Sequence, residues 1–310
     1  MIITITPNPC VDKTIFIDTL LPGDKIRAYR CSCIAGGKGC NVSRAINAMG
    51  GETIAVPFVG GHTGKHVVEM LETMDRLQCS PVEITEMTRT ITTVLEESRH
   101  RQTALFEPGP SISQKECRKA LKLIEQLLPE ATLIIMSGSA PDPNLDNFYR
   151  DVVQMSHEAN LNSIVDAYGT IFEQALSAIP YMIKPNIEEA EKITKSPITT
   201  RAEQWGTVDR FRKQGIPLVV LSLGAEGALL SFKDTQFHVE PPPINTVNPV
   251  GSGDALVAGF ALGITQKMDI ESMARLGIAM GTANAMSWDI GAFRKKEVDQ
   301  LLEQVQITHR

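Results

Sequence analysis

Ile3 and Ile5 alternate with Thr4 and Thr6 before Pro7-Asn8-Pro9 interrupts the run, so the chain opens with a strand that ends in a loop. Residues 13–33 and 89–106 alternate in the same manner, with charged residues on one face, and predict strands of a half-exposed antiparallel sheet. Between these segments the spacing predicts a helix near 40–49, a strand near 53–58 and a helix near 64–74. From about residue 112 the pattern changes. Helical stretches near 113–128, 144–159, 200–214, 254–266 and 270–287 alternate with short apolar strands at Thr132–Met136, Ser163–Val165, Tyr181–Ile183 and Leu218–Leu221. Helix alternating with buried strand implies a mainly parallel, Rossmann-like sheet with helices on both faces. No repeat or low-complexity segment divides the chain, and Pro241-Pro242-Pro243 is only a short stiff connection. The expected organisation is one α/β domain over 1–310, with a small β-sheet from about 13–33 and 89–106 acting as a lid.

The 310 residues carry a net charge of −6, which argues against nucleic-acid partners or an anionic membrane surface. An anionic substrate would therefore need local positive groups. Hydrophobic residues make up 43% and charged residues 21%, as in soluble globular proteins. No apolar run approaches the ~20 residues needed to span a bilayer, and the first ten residues lack a basic leader pattern. The six cysteines form no CxxC pair and none follows Cys117, which fits reduced thiols in a cytoplasm rather than a disulfide framework.

Asn248-Pro249-Val250-Gly251-Ser252-Gly253-Asp254 precedes the apolar helix ALVAGFALGI. Two glycines allow a tight turn into a helix whose free N–H groups and dipole favour a phosphate. Asp254 in the first turn can take a proton from an attacking hydroxyl as charge builds on the transferring phosphoryl group. The same residues by themselves also describe an acid capping a helix after a glycine turn. A Walker A loop is excluded: around Gly60-Gly61-His62-Thr63-Gly64-Lys65-His66 the spacing is wrong and His follows Lys. A dinucleotide fingerprint is excluded by Leu256 in place of the third glycine.

Gly36-Gly37-Lys38-Gly39-Cys40-Asn41 leads into another helix, either with backbone open to a ligand, a point charge at Lys38 and an amide at Asn41, or as a helix-starting turn with a solvated lysine. Asp12 follows the first strand, where open α/β sheets bind ligands, and could accept bonds from two sugar hydroxyls or simply stabilise a turn. Asn186 and Glu189, spaced i, i+3 after Lys184-Pro185, could hold a hydrated Mg²⁺ or form a capping box. Ser222-Leu223-Gly224-Ala225-Glu226-Gly227 is a glycine turn after a strand. His62 and His66 lack the pattern of a zinc site and are surface histidines.

In order, TPNPCVD, AGGKGCNVSRA, VGGHTG, Thr88-Arg89, SGSAP, VDAYG, IKPNIEEAE, VVLSLGAEGALL and NPVGSGDALVAGF resemble the ribokinase-like carbohydrate kinases. The similarity is to the phosphofructokinase-B branch, which includes 1-phosphofructokinases, tagatose-6-phosphate kinases and 6-phosphofructokinases. The resemblance implies a Rossmann-like core with a β-sheet lid, ATP as donor and Mg²⁺ as helper, and leaves room for a monovalent cation. It implies Asp254 as catalytic base, with Gly251, Ser252 and Gly253 as anion hole. Asp12, Gly37, Lys38 and Asn41 match sugar positions, and Lys184, Asn186, Ser222, Gly224, Gly227 and Val250 fall on the nucleotide side. Glu189 matches the metal-linked acid, acting through water. Arg89 matches the position that meets a substrate phosphate, and Lys25 and Arg27 could add charge there. The expected reaction is phosphorylation of a ketohexose phosphate to a bisphosphate; the alternative is a kinase of a neutral sugar or nucleoside, to which three cations would offer nothing. A homodimer through the lid sheet is expected. The branch often reads TVGAGDS where this chain has NPVGSGDA, closer to tagatose-6-phosphate kinases, and residues 98–102 are unusually basic.

Overall fold

The structure is a computed structural model and describes residues 1–99 and 101–310. The chain runs β1 (Ile2–Thr6), β2 (Cys10–Ile17), β3 (Arg30–Gly36), α1 (Lys38–Ala48), β4 (Thr53–Val59), α2 (Gly61–Thr73), β5 (Gln78–Cys79), β6 (Val82–Glu83), β7 (Arg89–Glu96) and β8 (Arg101–Phe106). It continues α3 (Gln114–Leu127), β9 (Leu133–Ser137), α4 (Phe148–Glu158), β10 (Asn162–Asp166), α5 (Thr170–Ser177), β11 (Met182–Ile183), α6 (Ile187–Thr194), α7 (Arg201–Lys213) and β12 (Leu218–Ser222). It ends β13 (Ala228–Phe232), β14 (Thr235–Glu240), α8 (Ser252–Thr265), α9 (Ile270–Ala285), α10 (Lys295–Leu302) and β15 (Gln306–His309).

The large sheet has the order β15-β14-β13-β12-β11-β10-β9-β1-β4-β5, with β6 beside the end of β4. Its centre, β12 through β5, is parallel, and β13, β14 and β15 extend it as an antiparallel edge. Strands buried on both faces explain the continuous apolar runs. Leu133 and Ile135 enter one core with α1, α8, α9 and α10, while Ile134 and Met136 enter the other with α3, α4, α5 and α7. Each predicted helix and apolar strand is present within a few residues. Helices α5, α6 and α10, eight residues each, are additions: two turns carry too little periodicity to read.

The small sheet has the order β3-β2-β7-β8. It is mixed rather than antiparallel: β2 pairs β7 in parallel, and only β2–β3 and β7–β8 are antiparallel. The reason is topological. Strand β2 follows β1, and β7 follows the short strand paired to β4; β1 and β4 are parallel neighbours, so both excursions leave the large sheet in one direction. Residues 18–29, expected within a strand, lie outside any strand, broken by Pro22-Gly23. Of the basic stretch 98–102, His100 lies outside the described residues, and Arg101 is paired two-pronged with Glu96.

Candidate active site

A cavity of about 1090 Å³ opens between the small sheet and the C-terminal ends of the parallel strands. The N-termini of α8 and α1 reach it, as does Asn186, the N-cap of α6. Helix α8 starts from Gly251, whose φ of 81° is left-handed backbone; a Cβ there would stand 2.4 Å from Ile290 Cγ2, so only glycine fits without displacement. Ser252 N–H donates to Pro249 O at 3.2 Å, and among the described residues the N–H groups of Gly253 and Asp254 have no backbone acceptor. Helix α1 starts from Gly37, with φ 117°, directly below Lys38.

Asp254 is 6% exposed and accepts from Asn41 Nδ2 at 2.7 Å. Burial, reinforced by Asp166, raises its carboxyl to about 6, with Lys38, Asn41 and Lys184 pulling the other way. Asp166, fully buried at the end of β10, accepts from Lys38 Nζ and is ion-paired with Lys184 Nζ, each at 3.2 Å. Burial opposes its charge, but the two ammonium groups win and hold its carboxyl below the usual range. Lys38 also reaches Glu189 at 3.1 Å, and these acids keep its ammonium charged against desolvation. Lys184, 3% exposed, lies against Gly253: a Cβ there would be 3.3 Å from Lys184 Nζ. Cations thus flank a helix N-terminus beside a raised-pKa carboxylate, a geometry suited to receiving a phosphoryl group and deprotonating an attacking hydroxyl.

At the other end, Asp12 and Arg89 share the cavity-facing side of the small sheet, because Cys10 is opposite Arg89 and Asp12 opposite Ile91. Burial raises the Asp12 carboxyl, with Arg44 opposing. Arg89 donates to Asn8 O at 3.3 Å, while its buried Nε has no partner among the described residues. Asn8 Oδ1 and Asp166 Oδ2 are also buried without partners among the described residues, and both residues line the cavity.

The cavity wall brings together Asp12, Gly37, Lys38, Asn41, Arg89, Lys184, Asn186, Ser222, Gly224, Gly227, Val250, Gly251, Ser252, Gly253 and Asp254. It does not include Lys25 and Arg27, which are exposed in the 18–29 loop. Glu189 stands behind Lys38 rather than in the wall. It forms the capping box of α6, with Asn186 Oδ1 accepting from Glu189 N at 2.8 Å and Glu189 Oε2 from Asn186 N at 3.0 Å. With Lys38 Nζ on Oε1 and Asn186 N on Oε2, each oxygen uses one lone pair, which leaves capacity for a metal-bound water. Among the described residues no group of three or more His, Cys, Asp or Glu could hold a metal.

Asp166 and Asn284 were missed as site residues. Asp166 is an acid at a strand's C-terminal end, the same signal that singled out Asp12. Asn284 donates to Val250 O at 2.8 Å and accepts from Gly291 N at 2.8 Å, bracing the Gly251 loop from α9; nothing local marks it. Tyr168, Trp288 and the Pro241–Pro243 run also line the cavity.

The architecture is a ribokinase-like α/β fold: Arabidopsis thaliana ribokinase, solved with ribose and ATP, superposes with TM-score 0.79 at 20% identity over 97% of this chain and 98% of that one. Residues 5–287 match the model of the pfkB family of carbohydrate kinases. The chain belongs to that family and is a phosphotransferase acting on a sugar hydroxyl. It is 32% identical to a tagatose-6-phosphate kinase of Staphylococcus epidermidis across 99% of both chains. Phosphofructokinase-2 of Escherichia coli, in complex with substrates and products, has TM-score 0.88 and 26% identity over 98% of both chains. The same enzyme in complex with potassium has TM-score 0.90.

Proposed function

We propose that this chain transfers the γ-phosphoryl group of ATP to a hydroxyl of a phosphorylated ketohexose, giving a bisphosphate. The substrate set is tagatose-6-phosphate, fructose-1-phosphate and fructose-6-phosphate. The observation that carries the phosphate requirement is Arg89: a guanidinium at the sugar end of the cavity with a buried Nε lacking a partner among the described residues. An unsatisfied buried donor of this kind is costly unless a ligand accepts from it, and a phosphate accepts in two-pronged fashion. Lys25 and Arg27 lie outside the cavity, so the preference over a neutral sugar rests on Arg89 alone.

In this reading Asp12 and Asn41 orient the sugar, and Asp254 takes the proton of the attacking hydroxyl. The Gly251–Gly253 turn and Lys184 receive the transferring group. ATP lies against Ser222, Gly224, Gly227 and Val250, with Asn186 near its phosphates. Glu189, behind Lys38, would hold Mg²⁺ through water, and the ion would supply positive charge that offsets the charge of the nucleotide phosphates. A monovalent cation is proposed by likeness to the potassium complex of the Escherichia coli enzyme. The small sheet acts as a lid, within a single kinase domain.

Coupled assays with the three sugar phosphates and with fructose, tagatose and ribose test the class. Arg89→Ala should raise KM for the sugar phosphate about 10- to 100-fold, from the loss of one charge-assisted contact of about 1.5–3 kcal/mol, and leave KM for ATP within twofold. Equal changes in both KM values, or faster turnover of neutral sugars by the unaltered enzyme, would refute the assignment.

A further inference from the structure

Behind Asp254 runs a chain of hydrogen bonds that sugar binding does not explain. Asn41 Nδ2 donates to Asp254 Oδ2 at 2.7 Å, while Asn41 Oδ1 accepts from Arg44 Nη1 at 3.0 Å. Arg44 is itself clamped: Nε and Nη2 grip the two oxygens of Asp75 at 2.9 and 2.7 Å, and Nη2 also donates to Ala35 O at 2.7 Å. The Arg44 and Asp75 side chains are 11% and 14% exposed, so this pair is held by packing as well as by charge. Residues 41 and 44 lie on one face of α1, three apart, and Asp75 approaches from the turn after α2.

An amide has one acceptor end and one donor end, and its flip state is decided by its neighbours. Arg44 has only donors, so it fixes the Asn41 oxygen toward itself and turns the Asn41 nitrogen toward Asp254. Without Arg44, Asn41 could present its oxygen to Asp254 instead, an arrangement that suits only a protonated carboxyl.

We propose that Arg44 is a positioning residue for catalysis: clamped by Asp75, it fixes the flip of the Asn41 amide and thereby keeps Asp254 ionised and aimed as the base. This rests on Asp254 being the general base. Arg44 does not line the cavity; it reaches Asp254 through Asn41, while its charge also acts on Asp12, a charge that the lysine variant keeps. The other groups facing Asp254 are Asp166 from β10, Lys184 from the end of β11 and Lys38 from α1, with Asp12 in the same cavity. Helix α9, packed along α8, offers the uncharged Thr282 to this cavity, and its Arg275 is bound to Val305 O instead.

The test is the pH profile of kcat/KM from pH 5 to 9 for Arg44→Lys, with the sugar phosphate that the panel identifies. Lysine keeps the charge, but a single ammonium cannot span the Asp75 carboxylate, the Ala35 carbonyl and the Asn41 amide. The acid limb, set by Asp254 near 6 in the unaltered enzyme, should move up by about one unit, the scale of one lost bond to a carboxylate. Activity at pH 6 then falls about fivefold while activity at pH 8.5 stays within twofold, with KM for ATP unchanged. In an Asn41→Ala background the same Arg44→Lys change should shift nothing. An unmoved acid limb, or an equal loss at every pH, overturns the proposal, because a merely structural ion pair would act that way. If Arg44→Lys does not fold, Asp75→Asn is read by the same criteria. Asp254→Asn separates the two levels: if it stays active the base assignment fails, whereas an inactive Asp254→Asn beside an unmoved Arg44→Lys limb refutes the relay alone.

Discussion

Replacing Asp254 by Asn should inactivate the enzyme and make it more stable. The carboxylate is 6% exposed, and burial lifts its pKa from 3.8 to about 6. Between these two values the unfolded chain has lost the proton that the folded chain keeps. Stability therefore falls as pH rises through that window, and above about pH 6 the full penalty is present. A shift of about two units corresponds to roughly 3 kcal/mol. That net shift already contains the attraction of Lys38 and Lys184, which the variant loses, so about 3 kcal/mol is the upper bound of the gain. The expected gain at pH 8 is about 1–3 kcal/mol, a rise of a few degrees in Tm, and it should vanish below about pH 4. Asn at 254 can still accept from Asn41 Nδ2, so the local geometry is retained. It cannot accept a proton, so kcat should fall about 10²–10⁴-fold with both substrates still bound. Steady-state kinetics and thermal melts at pH 4 and pH 8 decide the matter. Activity above about a tenth of the unaltered level would show that the base lies elsewhere, with Asp12 next in line. A variant that is inactive and also less stable at pH 8 would refute the buried-charge argument.

Gly251→Ala places a Cβ 2.4 Å from Ile290 Cγ2 on left-handed backbone, and should lower kcat at least tenfold and stability by about 1–3 kcal/mol; near-normal activity would mean the turn is not the phosphate cradle. Backbone amides of β2, β3, β7 and β8 should exchange faster without sugar phosphate than with it, as a lid requires, and identical protection would rule out closure of the small sheet. Leu105, 61% exposed on the edge strand β8 and on the opposite face from Phe106, which lines the cavity, is an apolar position that a second copy would cover. Sedimentation should therefore give a dimer that Leu105→Glu dissociates, and an unaltered monomer would exclude that assembly.

Local sequence signals proved sufficient for the parallel core and for the two helix-starting glycine turns. A buried parallel strand has no polar face, so Leu133 to Met136 announce themselves without reference to any neighbour. Gly251 and Gly37 stand where φ must be positive, a demand set by the turn itself. The motif set also assembled most of the cavity wall, because residues at strand ends of a parallel sheet converge on one crevice.

What the sequence by itself determined was therefore everything carried by one segment at a time: strand or helix, turn or cap, and an acid or glycine at its end. Pairings across the chain were decided only by tertiary structure. The parallel register of β2 on β7 depends on where two excursions leave the large sheet, which no alternation within either one encodes. Lys25 and Arg27 sit on a segment as polar as any lid, and only the tertiary structure leaves them exposed and outside the cavity wall. Asp166 is marked locally as a strand-end acid, but its pairing with Lys38 and Lys184 spans 128 and 18 positions, and Asn41 meets Asp254 across 213. Such charges can be buried only because partners distant in sequence arrive together, and their energies belong to the assembled cavity rather than to any segment of the chain.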